Sequence, residues 1–171
     1  MKMKWYYLPR QFWSLTGAVG IVLLCAISAS PQAPSIEGTY KLISRQMADS
    51  TVLSPPAIMG LLTYTKTQRN FNIVRKDATG KFSSHSIVST YKLTATEYSE
   101  TLLFSIANNQ IRGKDIVYDL SGETRSAPVT VEGGRIQFKL PFEAPIEVVV
   151  DGDKITATSE GRWVDSWEKI Q

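Results

Sequence analysis

Ile36-Glu37-Gly38-Thr39-Tyr40-Lys41-Leu42-Ile43-Ser44-Arg45 decides how the rest of the chain is read. Tyr40 and Leu42 alternate with Lys41, the two-residue period of a strand with one buried face. Gly38 stands just before the first large apolar side chain, where the backbone bends or admits a close neighbour. The stretch reads as the opening strand of an all-β barrel.

What precedes it has another character. Lys2, Lys4 and Arg10 give a basic start, Leu15 to Ile27 is an uncharged apolar run, and Ser28, Ala29 and Ser30 are small. That order is the pattern of a secretory signal peptide over residues 1–29, with cleavage expected after Ser28 or Ala29. The alternative is an uncleaved N-terminal anchor, since residues 11–29 are long enough to cross a bilayer. Cys25, the only cysteine, lies in this segment behind Leu24, a poor place for lipidation. Once it is removed, no disulfide, thiol nucleophile or thiolate metal site remains. Residues 30–35, with Pro31 and Pro34, read as a linker, and residues 36–171 as the domain.

Export also changes the charge. The whole chain carries 19 Lys and Arg against 16 Asp and Glu, a net charge of +3. The three basic residues of the leader account for the whole excess, so the mature domain is close to neutral. Nucleic acid is therefore not an expected partner. Membrane contact is expected only if the leader is retained.

Past the opening strand the chain is a series of short alternating runs. Residues 46–57, with Pro55-Pro56, read as loop. Strands are expected over 59–65, 70–75 and 87–94, with residues 66–69 as a turn and 76–84 as a polar loop. In the next run, 97–106, Tyr98, Leu102, Phe104 and Ile106 are expected on one face. Asn108-Asn109 reads as a hairpin turn, followed by a strand over 110–120 with Ile116, Tyr118 and Leu120 on one face. Residues 128–131 are expected as a short edge piece because of Pro128. Strands follow over 135–140, 146–150, 154–158 and 161–169, and Asp151-Gly152-Asp153 is the strongest hairpin signal. No mature segment has a helical period over ten or more residues. The expected fold is an antiparallel, up-and-down, closed barrel of about eight to ten strands.

Three stretches carry a family resemblance. Gly38-Thr39-Tyr40 resembles the Gly-Thr-Trp that opens the first strand of the bacterial lipocalin-like domain family. Gly60-Leu61-Leu62-Thr63-Tyr64-Thr65 resembles its second-strand Gly-x-Leu-x-Tyr pattern, and Asp165-Ser166-Trp167-Glu168-Lys169 its C-terminal Trp-Glu-Arg. Tyr40 stands in place of the usual Trp and Lys169 in place of the usual Arg. The resemblance implies a small lipocalin-like barrel in which a cation covers the first-strand aromatic. Arg162 or Lys169 over Tyr40 are both open choices. No ligand is implied.

Chemistry is sparse. His85, the only histidine, sits among Ser83, Ser84 and Ser86 and reads as a loop histidine rather than part of a triad. No catalytic residue, metal site or cofactor is expected. An ionisable residue on an inward strand position would favour a barrel isomerase, and Glu100 fits if it keeps phase with Tyr98 and Leu102. The remaining signal is aromatic: Tyr40, Tyr64, Tyr91, Tyr98, Phe104, Tyr118, Phe138, Trp163 and Trp167 are the candidate ligand-binding residues. Either they fill the barrel or they line a cavity for one small guest.

These readings converge on an exported, periplasmic or extracellular, monomeric barrel. It is expected to bind a small hydrophobic or amphipathic molecule without catalysing a reaction. A cell-envelope structural or interaction protein with a filled barrel is the alternative.

Overall fold

The computed structural model describes residues 33–170 with the exception of residue 144. The leader, Cys25 and the start of the linker lie outside the described residues. Among these, twelve strands run β1 (Gly38–Met47), β2 (Val52–Leu53), β3 (Ile58–Tyr64), β4 (Gln68–Lys76), β5 (Phe82–Leu93), β6 (Glu97–Asn109), β7 (Lys114–Asp119), β8 (Thr124–Glu132), β9 (Arg135–Lys139), β10 (Ile146–Asp151), β11 (Lys154–Ser159) and β12 (Trp163–Lys169).

Ten of them close into an antiparallel barrel, in the order β1-β3-β4-β5-β6-β8-β9-β10-β11-β12 and back to β1. Closure leaves the ring without a free edge. The two remaining strands are appendages: β2 pairs with the end of β1, and β7 with the end of β6.

The seam is built on the stretch that opens the domain. Tyr40 faces Lys169 and Leu42 faces Trp167 across the β1–β12 ladder. Tyr40 is 1% exposed, and its hydroxyl donates to the Ile36 carbonyl at 3.2 Å. The cation over its ring is Lys169, whose Nζ lies 5.9 Å from the centroid. Arg162 belongs to the opposite end, in the turn that leads into β12. Gly38 is needed for its backbone, whose φ is +149°, and a Cβ there would also press on the flexible Lys169 side chain, which can move aside. Gly60 makes room for the Trp167 ring, which a Cβ would meet at 2.6 Å.

Several boundaries differ from the sequence expectations, each for a local reason. Phe82 to Ser86 is strand, not loop, because β4 and β6 both bond to it. The turn after β6 falls at Gln110–Arg112, a 3₁₀ turn ended by Gly113 in the left-handed region, so Asn108 and Asn109 remain in strand. Pro128 lies on a ring strand, not an edge. It sits opposite Glu97, and the Val129 N–H bonds to the Thr96 carbonyl, so the proline's own nitrogen points away from β6. On the other side the β8–β9 ladder begins only at Val129, beyond the missing donor.

Two bulges set which side chains point inward in the upper half of the barrel. In β6 the register shifts between the pairs Val88–Phe104 and Ser89–Leu102, leaving Leu103 as the extra residue, 45% exposed. In β1 it shifts between Leu42 and Ser44, leaving Ile43 as the extra residue, 39% exposed. Each insertion reverses the alternation beyond it. Phe104 and Ile106 therefore turn to the outer face, against expectation, and Ser105 and Ala107 turn inward beside Ile87 and His85. Arg45 likewise turns inward, where it meets Asp165.

Candidate functional site

All the connections Tyr64–Gln68, Leu93–Glu97, Glu132–Arg135 and Asp151–Lys154 gather at the end where β1 begins. This lower end is packed shut. The Tyr64 and Tyr91 rings meet edge-on at 5.2 Å, Tyr91 stacks on Tyr98 at 5.8 Å, and Tyr98 on Phe138 at 4.4 Å. Tyr91 donates its hydroxyl to the Thr65 carbonyl at 2.6 Å. Burial pushes the Tyr64 hydroxyl up to about 12, and also raises those of Tyr91 and Tyr98. These rings fill the space that a ligand would need.

Above them lies a buried polar layer. Arg69, 2% exposed, donates to Glu100 at 3.1 Å and to Glu143 at 2.9 Å. Glu100 also accepts from Ser89 Oγ at 2.5 Å and from the Tyr98 hydroxyl at 3.1 Å. Burial disfavours the Arg69 charge, but Glu100, Tyr64, Glu143 and Tyr98 outweigh it and hold the guanidinium protonated. Glu100 does face inward in phase with Tyr98 and Leu102. Its oxygens are committed to these donors, and it borders neither of the two spaces above. Those are the marks of a buried carboxylate whose oxygens are satisfied.

The first space, of about 30 Å³, lies between Arg69, Phe71, Trp163 and Trp167. It is the size of a water rather than of a ligand. Arg69 Nε and Trp167 Nε1 have no acceptor among the described residues, and both residues border it.

The second space is the barrel mouth, a cup of about 520 Å³. Its apolar wall is Ile58, Phe71, Ile73 and Trp163, and its rim carries Arg75, Arg112, Arg162 and His85. Phe71, Glu143 and Trp163 border both spaces and form the floor. Arg45 is also present but spent. Its guanidinium bonds both Asp165 oxygens, at 2.5 and 2.6 Å, and lies 4.0 Å over the Trp163 ring. Desolvation raises the Asp165 carboxyl, and the Arg45 bonds oppose it. His85 meets Phe71 edge-on at 6.0 Å, and burial lowers its pKa, so it is neutral at pH 7.

Of the expected aromatic set, the structure gathers Tyr40, Tyr64, Tyr91, Tyr98, Phe138 and Trp167 in the interior, but as packing. Trp163 alone among them lines the cup. Two are corrected. Phe104 turns outward past the β6 bulge, and Tyr118, 65% exposed, lies on β7 opposite Ile106 on the outer face.

Of the charged residues inside the barrel, Glu100 alone was expected there. Arg69, Phe71, Ile73 and Arg75 do alternate at a period of two, and Asp165 is in phase with Trp163 and Trp167. Starting the third strand at residue 70 hid the first pattern by assigning Arg69 to a turn.

Comparison with protein-family models, curated proteins and solved structures returned no match.

Proposed function

We propose that the protein is an exported lipocalin-like barrel that binds a small hydrophobic or amphipathic molecule at its mouth and does not transform it. One observation carries the reading. The same barrel that is packed solid at one end opens at the other into a cup of about 520 Å³, within the size range of small-molecule sites. Its mixture of half-buried aromatic wall and polar rim suits an amphipathic guest better than a purely apolar one. The closed antiparallel barrel, with Tyr40 buried at the seam under Lys169, supports the lipocalin-like assignment. Export, to the periplasm or the exterior, rests on the pattern of residues 1–29.

Denaturing mass spectrometry of protein purified from its native host tests the binding reading. A stoichiometric small organic molecule is the expected result. A clean protein whose tryptophan fluorescence is unchanged across a lipid panel would count against it. Export is checked by N-terminal sequencing of secreted material, expected to begin at Ala29 or Ser30.

The alternative, an envelope interaction protein with a filled barrel, is favoured by a different feature. On β7 and just beyond it, Ile116, Val117, Tyr118 and Leu120 are each at least 50% exposed. Among the described residues only β6 pairs with this strand. Exposed apolar strand edges are places where other chains add.

A further inference from the structure

The charges around the cup are unequal, and the excess is positive. Arg75 is the most telling of them. It lies on the inner face of β4, in phase with Phe71 and Ile73 and opposite Ile58 and Ser83. It is half-buried, yet its side chain makes no ion pair or hydrogen bond among the described residues. Arg112, from the 3₁₀ turn after β6, and Arg162, from the turn before β12, converge on the same rim, also without a partner among the described residues. Among the described residues the only acid lining the cup is Glu143, and it is bonded to Arg69. A half-buried guanidinium without an acceptor is costly, because this group is always charged and carries five donors.

We propose that the cup takes an amphipathic anion, its carboxylate or phosphate held by Arg75, Arg112 and Arg162 and its apolar part laid against Phe71, Ile73 and Trp163. This rests on the mouth being a binding site, and adds the charge of what binds. Guanidinium groups suit both headgroups, since their paired N–H donors match two oxygens of either. The apolar part is short, because the floor closes the way into the barrel. Beyond it lies a space of about 30 Å³.

The test is a titration of the full mature chain, read by Trp163 fluorescence and calorimetry, with four ten-carbon probes: decanoate, decyl phosphate, decanol and decyltrimethylammonium. The anions are expected to bind at least about tenfold more tightly than decanol, the worth of one charge-assisted hydrogen bond. The cation is expected not to bind. The triple variant Arg75→Gln/Arg112→Gln/Arg162→Gln, checked for folding by circular dichroism, should bind decanoate and decanol equally. Anionic and zwitterionic vesicles distinguish a membrane source of the headgroup from a free molecule. Sedimentation with anionic vesicles alone identifies the lipid surface, and binding of monomeric decanoate without sedimentation identifies a free ligand. Equal binding of anion, alcohol and cation would overturn the charge assignment while leaving the site. Failure of every probe, in solution and on vesicles, would overturn both.

Discussion

The two ends of the barrel use the same strands and the same alternation, yet one is a core and the other a cup. At the lower end the inward positions are Tyr40, Tyr64, Tyr91, Tyr98 and Phe138, and the rings of the last four touch in series. At the upper end they are Arg75, Ser83, His85, Ala107 and Trp163, which cannot fill the same circumference. The β6 bulge accounts for much of the difference. Were β6 to run through Leu103 in unbroken alternation, Phe104 and Ile106 would project into the mouth in place of Ser105 and Ala107. The bulge thus trades two large apolar side chains for two small ones. The opening is made by strand register as much as by side-chain choice.

The contrast can be broken from several sides. Arg69→Leu removes the cation between Glu100 and Glu143 and leaves buried carboxylates uncompensated. A loss of about 3–5 kcal/mol in urea unfolding is expected. Adding Glu100→Leu should restore part of it. Tyr98→Phe keeps the ring stack but withdraws one donor from Glu100, with an expected cost of about 1.5–3 kcal/mol.

His85 gives a pH dependence at the open end. Burial lowers its pKa in the folded protein, so the unfolded chain binds the proton more readily. Stability should therefore fall as pH drops below about 6.5, by no more than about 1.4 kcal/mol per pH unit from this group. His85→Gln should remove that contribution, seen as a flatter midpoint-against-pH curve.

The smallest expected change in stability is in the cup. Ala107→Phe places a ring where the wall is open, and should shift stability by less than about 1 kcal/mol. It should nonetheless abolish probe binding. If unfolding at the lower end and binding at the mouth respond together to every one of these changes, the division into core and cup is wrong.

Much of the architecture could be read from alternation. The seam between Tyr40 and Trp167, the hairpin at Asp151 to Lys154 and the inward Glu100 all follow from a two-residue period continued without interruption. Where the period is interrupted, the reading failed. Nothing in Leu102-Leu103-Phe104 marks the middle residue as the insertion, since all three are apolar. The bulge exists because β5 on one side and the β7–β8 segment on the other must both stay in register with β6. Pro128 was misjudged for a related reason, because whether a missing N–H matters depends on which neighbour it would have faced.

The sequence by itself determined the strand periods, the glycine that opens the first strand, and the even balance of charge from residue 36 onward. These are local properties, written in single residues and their near neighbours. Tertiary structure alone decided that most of the aromatic residues pack against one another, that Lys169 and not Arg162 covers Tyr40, and that Arg75, Arg112 and Arg162 meet at one mouth. The three arginines come from a strand and two turns far apart in the chain. Only barrel closure, which fixes where every turn falls around the ring, brings them to the same rim.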